Sequence, residues 1–218
     1  METKFKAVLF DLDGTLVDSI ADIADAMNDA LGRLGYPRHD YPAYKLMVGN
    51  GLRNLAERCL PETARDPETI ERCLAMMKDR YRDHSTEKTR PYDGIPELLD
   101  ALTARGLKMA VLSNKADHLT QAICAGLLGG WHFETVLGQS DRFPLKPDPA
   151  SALHVASVLG VQPAEILYLG DTGVDMHTAT AAGMYPVGAT WGFRTAAELA
   201  ENGARTIIDH PGQMLSLL

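Results

Sequence analysis

The pattern of apolar and polar positions near the start of the chain predicts a buried strand followed by a sharp turn. The apolar run Ala7–Phe10 is preceded by Lys4 and Lys6 and followed directly by Asp11. A short continuous apolar run of this kind is typical of a strand that is covered on both faces. Gly14 then permits the backbone conformation that a tight turn needs. We therefore expect this strand to deliver the residues after it to one edge of a sheet.

Between residues 18 and 85 the apolar positions recur at helical spacing, and no β-rich segment interrupts them. Ser19 and Asp22 resemble a capping box at the start of a first helix. A second helical segment is predicted over 41–60, with an interruption at the glycines near residue 50. A third helix should begin after Asp66, which is a good N-cap residue. The region therefore has the pattern of a helical insertion.

After residue 90 helical and strand patterns alternate along the chain. Strands are predicted at 108–112, 133–137, 165–169, 184–188 and 206–208. Alternating β and α units predict a parallel sheet with helices on both faces. The expected fold is thus α/β with a doubly wound parallel sheet. Residues 1–16 and 90–218 should form its core domain, and residues 17–89 a second, helical domain.

Composition narrows the class of protein further. The chain has 218 residues, of which 45% are hydrophobic, enough for a substantial core. A net charge of −8 argues against a nucleic-acid partner. The three cysteines show no paired spacing, which fits a reducing compartment. No signal peptide and no membrane-length apolar run is evident, so we expect a cytoplasmic protein without a membrane partner, either a monomer or a homodimer.

Two carboxylates follow the predicted first strand. Alternation along an extended chain would place Asp11 and Asp13 on the same side, with their Cα atoms about 7 Å apart. Open α/β sheets bind ligands at the carboxyl ends of their strands. Two carboxylates there would form an acidic pocket that requires a cation. The ordinary alternative is a solvated turn rich in Asp and Gly.

Two later stretches could supply groups that bind phosphate. Ser113, Asn114 and Lys115 directly follow the predicted strand at 108–112, and a hydroxyl and backbone N–H groups there could hold phosphate oxygens. Lys146 could offer a positive charge to a phosphoryl group. Each signal is weak alone, because Ser-Asn is an ordinary turn sequence and most lysines are solvated.

A further pair of carboxylates occurs where the predicted strand at 165–169 passes into a helix. Asp171 and Asp175 lie one helical turn apart in the stretch Gly-Asp-Thr-Gly-Val-Asp. This arrangement suits a metal ion. The alternative is a helix N-terminus at which the helix dipole favours an acidic residue.

Together these stretches resemble the signature of the haloacid dehalogenase-like phosphohydrolase superfamily. Asp-x-Asp-Gly-Thr after a hydrophobic strand, then Ser, Lys and Gly-Asp-x-x-x-Asp, occur in the superfamily's order and at similar separations. The resemblance covers essentially the whole chain. It implies a Rossmann-like core, a phosphate ester substrate and a magnesium ion as cofactor.

The resemblance also implies a role for each matched carboxylate. Asp11 would be the nucleophile that takes up the phosphoryl group as an aspartyl-phosphate, and Asp13 the general acid/base. Magnesium would be ligated by Asp11, by the backbone carbonyl of Asp13 and by Asp171. Asp175 would complete the metal site by orienting the metal's water ligands. The residues expected to bind phosphate or substrate are Thr15, Ser113, Asn114, Lys115 and Lys146 in the core, and Gly49, Asn50, Gly51 and Arg53 in the insertion.

The helical insertion resembles the mobile cap of this superfamily, which would close over the site and exclude water. Within the superfamily, the segments 47–53, 91–94, 113–115 and 191–193 resemble those of phosphoglycolate phosphatases. The segment Phe-Pro-Leu before Lys146 departs from that branch, which often has a second basic residue there. The resemblance therefore implies a magnesium-dependent phosphomonoesterase for a small metabolite, closest to the phosphoglycolate phosphatases.

Other activities remain compatible with the same motifs. A β-phosphoglucomutase-like phosphomutase is the nearest alternative, although those relatives usually have Val where this chain has Thr15. A pyrophosphatase is a second alternative. A dehalogenase is disfavoured, because that branch lacks the acid that Asp13 supplies here. A non-catalytic binding protein on the same fold would belong to a different class, and no catalytic position carries an incompetent residue that would favour it.

Overall fold

The computed structural model describes residues 4–49 and 51–218, and its central element is the fully buried strand β1 (Ala7–Phe10). The other strands of the described chain are β2 (Val17–Asp18), β3 (Arg90–Pro91), β4 (Lys108–Ala116), β5 (Thr135–Gln139), β6 (Ile166–Gly170), β7 (Tyr185–Ala189) and β8 (Thr206–Ile208). Strands β2 and β3 pair with each other, and the rest form one parallel six-stranded sheet. The predicted parallel sheet is confirmed.

The order of strands in the sheet is β5-β4-β1-β6-β7-β8, which places β1 in the middle. Phe10 is paired with Val111 of β4 on one side and with Leu169 of β6 on the other. The chain adds β4 and β5 outward in one direction and then β6 to β8 in the other, so the winding reverses at β1. Ligands of open α/β sheets bind beyond the carboxyl ends of the strands at such a reversal. The residues that follow Phe10 and Leu169 therefore occupy the expected ligand position.

The helices of the described chain are α1 (Ile20–Arg33), α2 (Tyr41–Met47), α3 (Gly51–Cys59), α4 (Pro67–His84), α5 (Ile95–Ala104), α6 (Asp117–Leu127), α7 (Ala150–Leu159), α8 (Gly173–Ala181) and α9 (Ala196–Glu201). Short 3₁₀ helices occur at Glu62–Ala64, Pro163–Glu165 and Pro211–Leu217. Asp66 caps α4 as predicted, accepting a hydrogen bond from the Thr69 N–H at 3.0 Å. Among the described residues, none of the helices combines the length and the apolar character needed to cross a membrane.

Both faces of the sheet are covered by apolar layers. Val8 and Phe10 of β1 belong to a buried cluster that includes residues of α5 and α6. Ala7 and Leu9 belong to a second cluster, which includes residues of α7 and α8. Because successive side chains of a strand point to opposite faces, β1 contributes to both layers. This is the doubly wound α/β arrangement predicted from the alternating pattern.

Strand β4 extends well beyond its predicted end. Strand β4 continues to Ala116, whereas the pattern predicted an end at residue 112, and its pairing with β5 shifts register beyond Leu112. The interruption predicted in the helical segment 41–60 is confirmed, because α2 ends at Met47, Val48 is extended and α3 begins at Gly51 with a φ of 80°. In β4 the polar sequence after Leu112 hid the rest of the strand, since Ser and Asn are common in turns.

The chain forms two compact units, one of residues 1–18 and 91–218 and one of residues 19–90, here called unit 1 and unit 2. Within unit 2 the predicted capping box of Ser19 and Asp22 is wrong, because the Ser19 side chain does not cap α1. Asp22 is buried and accepts hydrogen bonds from the N–H groups of Lys88 and Thr89 at 2.8–3.0 Å and from the Thr89 hydroxyl at 2.7 Å. One carboxylate thus ties α1 to the residues that end the unit.

Replacement of Asp22 by Ala should destabilise unit 2 by about 2–4 kcal/mol, because two backbone N–H groups and a hydroxyl would lose their buried acceptor. Hydrogen exchange at the amides of Lys88 and Thr89 should accelerate accordingly. Asp29→Ala is the matched control, since Asp29 lies on the same helix and 41% of its side chain is exposed. Its Oδ2 lies 3.7 Å from Arg33 Nη1. Equal unfolding midpoints and amide exchange for the two variants would contradict the role of Asp22.

Candidate active site

The turn after β1 sends its two carboxylates to different partners. The Asp11 N–H donates to the Leu169 carbonyl at 2.9 Å, which extends the pairing with β6 by one residue. The Leu12 carbonyl then accepts from three N–H groups, those of Thr15, Leu16 and Val17. Asp11 and Asp13 both follow the end of β1, at the predicted edge of the sheet, and their placement on one side of the chain stays a prediction.

Asp11 lies in a cluster of three buried carboxylates. One oxygen each of Asp11, Asp171 and Asp175 can be chosen so that all lie within 4.8 Å of one another. Asp11 follows β1, while Asp171 and Asp175 follow the neighbouring strand β6, so the cluster sits where the winding of the sheet reverses. The relative exposure of Asp11 is 7%, and that of the other two residues is 0%. Carboxylates packed so closely and so deeply require a compensating cation.

Lys146 supplies one positive charge to this cluster. Its Nζ lies 2.9 Å from Asp11 Oδ1 and 2.6 Å from Asp175 Oδ1, and it also donates to the Leu112 carbonyl at 3.2 Å. Only 4% of the Lys146 side chain is exposed. The weak expectation that this lysine belongs to the site therefore agrees with the geometry, and a solvated surface position does not describe it.

The pKa values of the cluster reflect its burial first and the charges of its members second. Burial raises the pKa of Asp11 to about 7, with Lys146 acting in the opposite direction and Asp175 adding to the rise. Burial, followed by the charges of Asp11 and Asp175, raises the pKa of Asp171 well above its usual range. Burial alone would lower the pKa of Lys146, but Asp11 and Asp175 outweigh it and hold that pKa well above its usual value. One ammonium group does not balance three carboxylates.

The Asp171 carboxylate is oriented by groups from two loops. The Thr15 hydroxyl donates to Oδ1 at 3.2 Å, and the Phe193 N–H donates to Oδ2 at 2.8 Å. A side chain at Gly14 would collide with Asp171 and Phe193, and one at Gly192 would collide with Asp171 and the Gly14 carbonyl. The two glycines therefore permit the β7–α9 loop to approach the turn after β1, with Gly14 at a φ of 88°.

Asp175 serves both the cluster and its own helix. Its Oδ2 accepts from the Thr172 hydroxyl at 2.6 Å and from the Thr172 N–H at 3.1 Å, forming the capping box of α8. Its Oδ1 accepts from Lys146 and, at 3.4 Å, from the Tyr168 hydroxyl. The two interpretations of Asp175 from sequence, a helix cap and a member of a metal site, are therefore compatible with each other.

Asp13 is paired with Lys115 and is not one of the three clustered carboxylates. Both oxygens of Asp13 are 2.9 Å from Lys115 Nζ. Lys115 lies in the unpredicted extension of β4, as does Ser113, whose Oγ accepts from the Lys115 N–H at 3.2 Å. Ser113 is buried, with 4% relative exposure.

Asn114 lies between Ser113 and Lys115 and contacts the backbone of Lys146. Its Nδ2 donates to the Lys146 carbonyl at 3.1 Å, and its Oδ1 accepts from the Lys146 N–H at 2.8 Å. Because both backbone groups of Lys146 are hydrogen-bonded to one side chain, Asn114 fixes the position of that lysine relative to β4.

The candidate residues of the insertion belong to unit 2. Gly49 and Gly51 both have positive φ, 129° and 80°, and Gly51 begins α3. Arg53 forms an exposed ion pair with Glu71 at 3.3 Å. Asn50 lies outside the described residues. Substrate contacts by these residues stay a prediction.

Several groups that matter in the site were missed from the sequence. The Phe193 N–H orients the Asp171 carboxylate, and the Tyr168 hydroxyl contacts Asp175. Tyr92 carries a buried hydroxyl without a hydrogen-bond partner in the described chain, and its pKa is raised by burial and then by the charges of Asp18, Asp171 and Asp13. Gly192 next to two aromatic residues was the one usable signal, since glycine often marks a close backbone approach.

Comparison with known proteins agrees with this geometry. The model of a family described as haloacid dehalogenase-like hydrolase matches residues 8–189. A phosphoglycolate phosphatase of Thiobacillus denitrificans is 36% identical over 82% of this chain and 80% of its own length. A phosphoglycolate phosphatase of Chromobacterium violaceum is 33% identical over 98% of this chain and 96% of its own length.

A solved structure shares the fold throughout. The crystal structure of a protein from Lactobacillus delbrueckii subsp. bulgaricus, predicted to be a phosphoglycolate phosphatase, covers 99% of both chains with a TM-score of 0.93 at 30% identity.

A buried group of carboxylates with a lysine, at the reversal of a doubly wound sheet, defines together with these relatives a phosphoric monoester hydrolase. The chain belongs to the haloacid dehalogenase-like hydrolases, since the family model spans most of its length. The resemblance drawn from the sequence motifs is confirmed.

Proposed function

We propose that this protein is a magnesium-dependent phosphatase that hydrolyses phosphoglycolate through an aspartyl-phosphate. The observation that carries the proposal is the convergence of Asp11, Asp171 and Asp175 on the buried ammonium of Lys146 at the carboxyl end of β1. The choice of substrate is supported by the two relatives named for phosphoglycolate, which match most of the chain.

The residues present fit a hard divalent cation. The cluster offers only carboxylate oxygens, the ligands that Mg²⁺ prefers, and its excess negative charge calls for at least one further cation. Asp11, Asp171 and the backbone carbonyl of Asp13 would hold the ion, and Asp175 would orient the groups around it. When bound, Mg²⁺ would shield an anionic nucleophile from an anionic substrate.

Asp11 is the proposed nucleophile. One of its carboxylate oxygens forms a bond to phosphorus while the bond from phosphorus to the leaving oxygen breaks, and Asp13 gives its proton to that oxygen. In the second step Asp13 accepts a proton from water, whose oxygen attacks phosphorus. The acyl phosphate then breaks, releasing inorganic phosphate and restoring Asp11. Asp11 has two further carboxylates beside it, whereas both oxygens of Asp13 meet Lys115, and this difference supports the division of roles.

Ser113 and Lys146 are the proposed ligands of the transferring phosphoryl group. Both are buried and lie in or beside the extension of β4, and Lys146 already contacts the nucleophile. A fixed ammonium beside the reacting oxygen would stabilise the charge that develops on the phosphoryl group. Thr15 and Asn114 support this arrangement indirectly, through their hydrogen bonds to Asp171 and to the Lys146 backbone.

Unit 2 is proposed to be a cap, and unit 1 the catalytic domain. The helical composition of unit 2 and its insertion after the first catalytic residues support this assignment. A cap of this kind would exclude water and contact the part of the substrate beyond the phosphate. Gly49, Asn50, Gly51 and Arg53 are the proposed cap contacts.

Among small phosphate esters, phosphoglycolate should give the highest kcat/KM, by at least about tenfold over sugar phosphates and pyrophosphate. Phosphate release should be measured with phosphoglycolate, β-glucose 1-phosphate, pyrophosphate and an aryl phosphate, each with magnesium and with chelator. A parallel preparation of Asp11→Asn controls for contaminating phosphatases.

Each alternative has its own outcome in that screen. Preference for pyrophosphate or β-glucose 1-phosphate would overturn the assigned substrate while leaving the phosphatase chemistry in place. No magnesium-dependent release from any ester, the aryl phosphate included, would overturn the proposed enzyme and favour a binding protein on the same fold.

A further inference from the structure

Lys115 is a buried lysine whose ammonium group meets Asp13 symmetrically. Its Nζ is 2.9 Å from both Asp13 oxygens, and 4% of its side chain is exposed against 14% of that of Asp13. A charge-assisted contact to both oxygens restricts rotation of the carboxylate, which a single hydrogen bond would leave freer. Asp13 itself stands in the turn after β1 and forms an isolated bridge to Val17 of β2.

The backbone of Lys115 is held in place by contacts around β4. Its N–H donates to Ser113 Oγ at 3.2 Å, and its carbonyl accepts from the Thr120 hydroxyl at 3.1 Å. Gly138 of β5 packs so closely that a side chain there would collide with the Lys115 carbonyl and with Thr120. The regular strand therefore fixes the lysine, and the lysine in turn can fix a residue of the turn.

We infer that Lys115 is a positioning residue for Asp13, which it holds in the orientation that proton transfer requires. The inference rests on the proposed function, because it assumes that Asp13 is the acid/base. It assigns Lys115 a role different from the phosphate contact expected from sequence, since both Asp13 oxygens face its ammonium. General acid catalysis depends on a proton donor within hydrogen-bond reach of the leaving oxygen, so a freely rotating Asp13 would be a poorer acid.

The test uses the leaving group. In Lys115→Met, transfer of the phosphoryl group from an alkyl ester should slow by about 10–100-fold, the usual loss when a supporting residue is removed. Transfer from an aryl phosphate should slow much less, because a nitrophenolate leaves without a proton. The rate of this first step is measured in single turnovers by rapid quench, so that the second step does not intervene. The KM should change little.

A double-mutant cycle identifies the route of the effect. Adding Lys115→Met to Asp13→Asn should cause no further slowing, because the lysine would have no acid left to position. Lys108→Met is the matched control, since Lys108 begins the same strand and its ammonium donates to the Leu159 carbonyl at 2.6 Å. Lys108→Met should transfer the phosphoryl group from the alkyl and the aryl substrate at the wild-type rate. If Lys115→Met does not fold, Lys115→Gln, which retains a donor, should show the same leaving-group dependence to a smaller degree.

The outcomes separate this inference from the function on which it rests. Equal slowing of alkyl and aryl transfer in Lys115→Met, a raised KM with unchanged rate, or full additivity with Asp13→Asn would each overturn the positioning role. Absence of leaving-group dependence in Asp13→Ala would instead overturn the acid/base role of Asp13 itself.

Discussion

Asp11→Asn is expected to abolish turnover of every phosphate ester and to prevent formation of a phosphorylated protein. The amide cannot attack phosphorus, and loss of a nucleophile typically costs about 10⁴–10⁶-fold. The variant should remain folded, because it removes one of three clustered negative charges while Lys146 keeps Asp175 as its partner at 2.6 Å. Rapid quench and mass analysis of the peptide containing Asp11 would detect the added phosphoryl group in the wild type and its absence in the variant.

Asp141→Asn is the control for this prediction, because it makes the same change at an exposed position in the loop before Lys146. It should retain wild-type turnover and phosphorylation. A phosphoryl group on a residue other than Asp11, or one that still forms in Asp11→Asn, would contradict the assignment of the nucleophile.

Asp171→Asn should remove most of the affinity for magnesium and, with it, most of the activity. The substitution preserves the shape of a fully buried side chain but deletes its charge. A hard cation would then lose a carboxylate ligand. Magnesium affinity should fall by more than the factor of about 10–100 that is typical when a residue that only supports a metal ligand is removed. Calorimetric titration with magnesium alone measures the binding, and magnesium dependence of phosphate release measures the catalytic effect.

Two results would contradict this role of Asp171. One is a magnesium affinity for the variant equal to that of the wild type. The other is full wild-type turnover after exhaustive treatment with chelator. Asp141→Asn again serves as the matched control, since it deletes a carboxylate that lies outside the cluster.

The residues that meet in the cluster could be predicted from sequence because their side chains carry the chemistry. Asp11 and Asp171 each follow a continuous apolar strand, and neighbouring parallel strands end at the same edge of a sheet. Lys146 was a weaker prediction, since no local pattern distinguishes a buried lysine from a solvated one. Its burial depends on contacts with residues 135 and 29 positions away, Asp11 and Asp175.

Two contacts of the candidate site could not be predicted from sequence, each for its own physical reason. The Phe193 N–H is a backbone donor, which every residue but proline possesses, so residue type does not reveal it. The pairing of Lys115 with Asp13 joins positions 102 residues apart, and it exists only because β4 continues past Leu112. Tertiary contacts of this kind override the turn propensity of Ser-Asn.

The capping box predicted for Ser19 and Asp22 is also wrong because of a long-range contact. Ser19 and Asp22 have the spacing and nearly the residue types of a capping box, but the Asp22 carboxylate accepts from Lys88 and Thr89, 66 and 67 positions later. A local motif and a long-range contact compete for the same oxygens, and sequence alone shows only the local one.

The tie between Asp22 and the backbone of Lys88 and Thr89 has a consequence for how such a chain can change over evolution. When the two ends of an inserted segment are held together, closing it costs the rest of the protein little more conformational entropy than closing a short loop, whatever the length of the insertion. Insertions of whole domains are tolerated at such places. Unit 2 is therefore an exchangeable part: helices α1 to α4 could be lengthened, shortened or replaced, provided that the substitute keeps a tie between its own ends.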